Sequence, residues 1–72
     1  MIKVNRREFP WEAGLTVQAL LDNLKDAGEF LSIINSSTTV TVNRRAIPRQ
    51  EFASTLIKDG DELLLMSHLV GG

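Results

Sequence analysis

Apolar and polar positions alternate at the start of the chain, which is the pattern of a strand with one buried face. Ile2 and Val4 share that face. A two-residue turn at Asn5-Arg6 would return the chain as a second strand, with Phe9 on the same apolar side. Pro10 cannot donate a hydrogen bond to a neighbouring strand, so the second strand is expected at a sheet edge.

The next segment has the spacing of an amphipathic helix. Thr16 is a favourable N-cap residue, and Gly28 is the expected stop. Between them, the apolar residues fall on a single stripe that should face the core, namely Val17, Leu20, Leu21 and Leu24. Leu15 precedes the cap and is placed to contact Leu20 as a hydrophobic staple.

Residues 29–37 show no clear period. Their large apolar side chains should mostly be buried, namely Phe30, Leu31, Ile33 and Ile34. The polar run Asn35-Ser36-Ser37 is typical of a loop.

A second hairpin follows, and it echoes the first. Residues 38–43 alternate, with Val40 and Val42 directed inward. The run Val42-Asn43-Arg44-Arg45 then repeats Val4-Asn5-Arg6-Arg7. A single echo is too little for a repeat array, so we predict two hairpins that use the same turn.

The last third of the chain completes the fold. Pro48 suits the first position of a short helical turn that directs Phe52 inward, and residues 58–61 carry a strong turn signal. Residues 62–67 place apolar side chains on both faces, which predicts a central strand covered at least partly on each side. The element order predicts an α+β protein, with one helix on one face of a mixed sheet and the first and last strands as its central pair.

The composition excludes several classes of function. The chain has 72 residues, enough for one small domain, with no cysteine and one histidine, so neither disulfides nor a thiolate or imidazole metal cluster is expected. The net charge of −1, with acids and bases interspersed, provides no basic face for nucleic acid. No apolar run approaches the roughly 20 residues that span a bilayer, and no signal peptide is evident. We therefore expect a soluble cytoplasmic protein with no membrane contact.

The candidate working part is the final stretch, Leu69-Val70-Gly71-Gly72, directly after an apolar strand. Glycine at the last two positions removes side-chain bulk and widens the accessible backbone angles, so the tail could enter a narrow channel. Leu69 and Val70 would either pack on the domain or dock in a partner. His68 is expected to be an exposed residue, because no acid or nucleophile is placed beside it. The paired arginines are expected to be solvated hairpin residues.

Several short motifs occur in order along most of the chain, namely Gly14-Leu15-Thr16-Val17 with Leu20-Leu21, Val42-Asn43, Ile47-Pro48-Arg49, Phe52-Ala53, Leu56, Lys58-Asp59-Gly60-Asp61 and Gly71-Gly72. With these motifs, the chain resembles the ThiS family, the sulfur carrier proteins of thiamine biosynthesis, which have the β-grasp or ubiquitin-like fold. Arg6 and Arg44 depart from the family, because relatives often carry a turn glycine there. Residues 29–38 match it poorly.

The resemblance implies a carrier and not an enzyme. The carboxylate of Gly72 would be adenylated by an E1-like (ThiF-like) partner that uses ATP, and it would then become a thiocarboxylate. The sulfur would come from a donor such as a cysteine desulfurase, and a ThiG-like thiazole synthase would receive it. The chain itself would bind no cofactor and no metal.

The resemblance also implies a division of the chain into a β-grasp domain at residues 1–68 and a flexible tail at residues 69–72. Leu69, Val70 and Gly71 would lead Gly72 into the partner's active site. The exposed side of the sheet next to the tail is expected to dock the activating enzyme, with Arg45 as a possible member of that surface.

Three alternatives stay open from the sequence. A carrier like the small subunit of molybdopterin synthase would share the fold and the tail, although the short length and the segment Ile47-Pro48-Arg49…Phe52-Ala53 favour the thiamine branch. A ubiquitin-like modifier would join lysines through Gly72. A non-catalytic β-grasp binding module would have an incidental tail.

Overall fold

A computed structural model describes residues 1–35 and 38–67. These residues form one α-helix and a five-stranded mixed sheet with the strand order β2-β1-β5-β3-β4. The elements are β1 (Ile2–Val4), β2 (Arg7–Phe9), α1 (Val17–Asp26), β3 (Thr38–Val42), β4 (Arg45–Ile47), a 3-10 turn (Arg49–Glu51) and β5 (Glu62–Ser67). The predicted α+β architecture is confirmed. No helix within the described ranges is long and apolar enough to cross a membrane.

The last strand lies at the centre of the sheet. β5 runs parallel to β1 on one side and antiparallel to β3 on the other. β2 and β4 close the two edges, each as the second strand of a hairpin. The expected central pair and the expected edge position of the strand before Pro10 are therefore both confirmed.

Both hairpins use the predicted two-residue turn. Asn5 and Arg6 have φ of 50° and 70°, and Asn43 and Arg44 have φ of 51° and 71°. Positive φ at both central positions defines the type I′ turn, whose twist matches that of the flanking strands. The resulting registers agree with the sequence, since Ile2 lies opposite Phe9, and Val40 lies opposite Ile47.

The asparagine of each turn also binds the central strand. The Asn5 side chain donates from Nδ2 to the Leu65 carbonyl at 3.2 Å and accepts from the Leu65 N–H at Oδ1 at 2.8 Å. On the other side of β5, Asn43 Oδ1 accepts from the Glu62 N–H at 3.0 Å, and Asn43 Nδ2 donates to Asp61 at 2.9 Å. The asparagines therefore supply hydrogen bonds to β5 just where β1 and β3 end.

Helix α1 is bounded as the sequence predicts. Thr16 is the N-cap, and its Oγ1 accepts from the Ala19 N–H at 3.1 Å. At the other end, Gly28 (φ 75°) donates to the Lys25 carbonyl, and the following N–H of Glu29 donates to the Leu24 carbonyl. These two bonds form a Schellman motif, which satisfies carbonyls that the helix leaves unpaired.

The core lies between α1 and one face of the sheet. The four residues of the predicted helical stripe are all buried, and so is Leu15. The sheet and the irregular segments contribute the other buried apolar residues, which are Ile2, Val4, Val40, Phe52, Ile57, Leu63 and Leu65.

The segment after α1 packs against the β2 edge through one arginine. Arg7 pairs with Glu29, and its guanidinium lies 5.3 Å from the ring centre of Phe9 and 5.4 Å from that of Phe30. Phe30, Ile33 and Ile34 are partly buried against the core, as expected. Leu31 is 60% exposed, so the expectation of burial is wrong there, because the turn that begins after Phe30 directs Leu31 to solvent.

The segment before β5 differs from expectation in one detail. Pro48 is the N-cap of the 3-10 turn and not its first helical residue, while Phe52 is buried as predicted. The turn at residues 58–61 is present, with φ of 89° at Gly60. The indole Nε1 of Trp11 donates to the Ile57 carbonyl at 2.8 Å and ties this segment to the chain before α1.

We predict that Asn5→Gly lowers the free energy of unfolding by about 1–3 kcal/mol, because both polar groups of Leu65 lose their partner. Glycine keeps the positive φ without strain, so the loss reports the side-chain amide. The measurement is urea unfolding. Arg6→Gly is the control, and it should leave stability unchanged or raise it by up to ~1 kcal/mol. An Asn5→Gly variant as stable as the wild type would contradict this role for Asn5.

Candidate functional site

The predicted tail residues lie outside the described part of the chain. These residues are Leu69, Val70, Gly71 and Gly72, and His68, the last residue of the expected domain, lies outside the described part too. The structure describes the base from which they start. That base is Ser67, the last residue of β5, which lies opposite Thr38.

A polar network holds this base. Asn35 Nδ2 donates to Ser67 Oγ at 3.0 Å, and the Asn35 N–H donates to Thr38 Oγ1 at 2.6 Å. The same Thr38 hydroxyl donates to the Ile33 carbonyl at 2.7 Å, and Arg49 donates to the Asn35 carbonyl at 3.2 Å. The end of the central strand is thus tied to residues 33–35, a segment in which the sequence shows little resemblance to the family.

The two faces of β5 have different surroundings. Leu63 and Leu65 are buried against the helix side, with exposures of 0% and 3%. Leu64 and Met66 project from the opposite face and are 40% and 50% exposed. The sequence predicts at least partial cover on each side of β5, and among the described residues this prediction is wrong for the face that carries Leu64 and Met66. A single helix can cover only one face of a sheet, and no other described element lies over the second.

We call this uncovered side the open face. Along β5 it presents Leu64 and Met66, which lie opposite Thr41 and Thr39 of β3. The open face continues along β5 toward Ser67. The sequence analysis did not identify Leu64 and Met66 as surface residues. One signal was available, because the single predicted helix can cover only one face of the sheet, whereas β5 has apolar residues on both faces.

Arg45 does not lie where the sequence hypothesis needs it. It is exposed, but it lies opposite Val42, which itself lies opposite Leu63 near the start of β5. Because opposed residues share a face, Arg45 belongs to the helix side of the sheet. It is at the far end of β5 from Ser67. The expected position next to the tail is corrected, and a role for Arg45 in a partner surface stays a prediction.

Among residues 1–35 and 38–67, no group of three or more His, Cys, Asp or Glu side chains is arranged to hold a metal ion. On the open face, the described residues present an apolar strip, hydroxyl groups and neighbouring charges, which are features of protein interfaces.

Comparison with known proteins agrees with the fold and the motifs. The ThiS family model matches residues 2–72. The chain belongs to the ThiS family. It is 33% identical to the sulfur carrier protein ThiS of Escherichia coli (strain K12) over 73 residues, which cover 99% of this chain and 97% of that protein.

Solved ThiS-family structures share the architecture. The crystal structure of the thiamine biosynthesis protein ThiS from Geobacter metallireducens matches with a TM-score of 0.74 and 29% identity, over 99% of this chain and 97% of that one. A solution structure of a thiamine biosynthesis protein from Geobacter metallireducens matches with a TM-score of 0.66 and 27% identity, over 99% and 86% of the two chains. The β-grasp fold expected from the sequence is confirmed.

The two faces of β5 can be compared by the same substitution at neighbouring positions. We predict that Leu65→Ala lowers the free energy of unfolding by about 2–5 kcal/mol, because it leaves a cavity in the core. Leu64→Ala should cost about 1 kcal/mol or less, since much of that side chain is already in water. Urea unfolding of the two variants provides the measurement. Equal losses would show that Leu64 is packed and that the open face is covered.

Proposed function

We propose that this chain is a sulfur carrier of thiamine biosynthesis and that the carboxylate of Gly72 is its working group. The observation that carries the proposal is the family match, which extends through Gly71-Gly72 on a fold whose central strand leads toward them. The Escherichia coli relative is itself named a sulfur carrier protein. The chain would act as the substrate of a partner enzyme and not as an enzyme.

The chemistry follows from the properties of a carboxylate. A terminal carboxyl group has a pKa near 3.3–3.7, so it is an anion at neutral pH and resists attack by nucleophiles. In the proposed sequence, a carboxylate oxygen attacks the α-phosphorus of ATP, and pyrophosphate leaves. The terminal sulfur of a persulfide then attacks the carbonyl of the acyl adenylate, AMP leaves, and an acyl disulfide forms. A thiol reductant supplies two electrons that cleave the S–S bond and release the thiocarboxylate. ATP belongs to the E1-like activating partner, and the sulfur would come from a donor such as a cysteine desulfurase.

The length of the tail limits how the partner can hold the domain. Residues 68–72 follow the last described residue of β5. Fully extended, five residues span at most roughly 16–18 Å. The domain must therefore rest close to the partner's catalytic site, with Leu69 and Val70 inside the entrance and Gly71 and Gly72 within it.

The open face is the surface we propose for this docking. Leu64 and Met66 belong to the same strand that leads to the tail, so a partner resting on them would meet the tail at the edge of its contact. Exposed apolar side chains bordered by polar groups are typical of protein interfaces. A thiazole synthase that accepts the sulfur must also reach Gly72, and the same face is available to it in turn.

We predict that deletion of Gly72 abolishes sulfur loading without unfolding the domain. The deletion draws the carboxylate back by about 3.3–3.6 Å. Because reacting groups must lie within about 3–3.5 Å of each other, the adenylation step should fail. An added alanine after Gly72 should fail as well, because it moves the carboxylate outward and places a Cβ beside it. The measurement is adenylation and thiocarboxylate formation with the cognate activating enzyme.

Circular dichroism of both variants is the control for folding, and enzyme binding is the control for docking. Both properties should match the wild type. Thiocarboxylate formation at the wild-type rate in either variant would show that the terminal carboxylate is not the working group.

An intact-mass spectrum of protein purified from its own cells tests the proposal against its alternatives. A thiocarboxylate supports the sulfur carrier. A conjugate to a lysine would indicate a modifier, and a plain carboxylate under conditions of thiamine synthesis would favour a binding module. If only molybdopterin synthase consumed the thiocarboxylate, the chain would instead be a carrier like the small subunit of that enzyme.

A further inference from the structure

A shallow concavity of about 370 Å³ lies on the open face, beside the first half of β5. The two hairpin turns lie on either side of it. The first turn contributes Arg6, and the second contributes Asn43 and Arg44. The strands contribute Thr41, Glu62 and Leu64.

Neither arginine is needed by the fold through its side chain. In the part of the chain that the structure describes, no hydrogen bond or ion pair involves the guanidinium of Arg6 or Arg44, and both residues are exposed. The neighbouring Arg7 differs, because it pairs with Glu29 and lies over two aromatic rings. Arg6 and Arg44 therefore present free donors to solvent.

Both arginines also occupy a backbone conformation that disfavours them. Their φ values of 70° and 71° lie in the left-handed region, where a residue with a Cβ is less stable than glycine by roughly 1–2 kcal/mol. The same unfavourable choice occurs in two separate turns, and both side chains reach the same concavity. Backbone strain that persists at such positions is typical of functional surfaces.

The remaining lining residues indicate what would bind. Leu64 supplies an apolar side chain between the two arginines, and Met66 extends the apolar strip along β5. The Thr41 hydroxyl is buried without a hydrogen-bond partner among the described residues. Glu62 is the acidic residue of the lining, and Lys3 lies opposite it on β1. The concavity therefore combines two unpaired guanidinium groups with an apolar contact.

We propose that Arg6 and Arg44 bind carboxylate side chains of a partner protein whose adjacent apolar residues cover Leu64 and Met66. Guanidinium groups form short, charge-assisted and often bidentate hydrogen bonds with carboxylates. A protein segment fits better than a nucleic acid, because an apolar strip and an acidic residue adjoin the arginines and the chain has a net charge of −1. The site determines which partner docks on the open face.

The inference rests on the proposed function for the identity of the partner, which would be the enzyme that activates Gly72. The test compares two double variants of the full chain. Arg6→Gly with Arg44→Gly removes both guanidinium groups and relieves both strained turns. Lys25→Gln with Lys58→Gln removes the same number of positive charges from exposed residues that do not line the concavity.

The glycine variant should melt at the same temperature as the wild type or higher, and at about 0.15 M salt it should bind the activating enzyme roughly tenfold or more weakly. The glutamine variant should bind within about twofold of the wild type, since screened charges far from a contact matter little. Surface plasmon resonance provides the affinities. Equal affinity of the glycine variant and the wild type would overturn the inference, and so would an equal loss in both variants.

A second measurement does not depend on the enzyme. An NMR titration uses the acetylated peptide amide Leu-Glu-Asp-Leu, with inorganic phosphate and a single-stranded oligonucleotide as competing anions. The peptide should shift the backbone amide signals of residues 6, 41, 44 and 64 in the wild type and the glutamine variant, but not in the glycine variant. Absence of these shifts, or larger shifts with phosphate or the oligonucleotide, would overturn the inference.

The two proposals can fail separately. If the wild-type protein is thiocarboxylated normally and the glycine variant binds the activating enzyme as tightly as the wild type, the sulfur carrier proposal stands and the arginine site is refuted. If the wild-type protein is never activated, the sulfur carrier proposal is refuted, and the peptide titration then tests the arginine site by itself.

Discussion

Everything proposed for this protein depends on the position of β5, and two asparagine side chains help to fix it. β1 and β3 supply the backbone ladders on either side, but β1 is short and pairs only with the first part of β5. Asn5 then continues the pairing by exchanging two hydrogen bonds with Leu65. Asn43 holds the start of the strand on the other side. A buried polar group without a partner is costly, so these amides allow a long central strand beside a short one.

Successive side chains of a strand point to opposite faces of the sheet, so neighbouring residues of β5 have different roles. Leu63 and Leu65 face α1 and complete the core, whereas Leu64 and Met66 remain accessible on the open face. Within the described residues, one helix covers one face of the sheet, and the other face remains accessible. The strand that stabilises the fold is therefore also the strand that offers an apolar strip for recognition, and it ends at the base of the tail.

Features set by neighbouring residues could be predicted from the sequence. The turn at Asn5-Arg6, the cap at Thr16 and the stop at Gly28 each depend on local backbone preferences. Features set by distant residues could not be predicted from the sequence. The exposure of Leu31 depends on how its segment packs after the helix, and the position of Arg45 depends on which end of β5 meets the second hairpin. The apolar character of β5 indicated a central strand correctly, but it could not show that a second covering layer is lacking in the described structure.

The repeated Asn-Arg turn combines two requirements that a single residue could not meet. The first position needs a residue that tolerates positive φ and can bind β5, and asparagine does both. The second position makes no side-chain hydrogen bond within the described structure, and glycine would suit its backbone better. Arginine there adds nothing that the fold uses, yet it places a charge beside the apolar strip from each side. The fold explains the asparagines, and a partner that carries carboxylates explains the arginines.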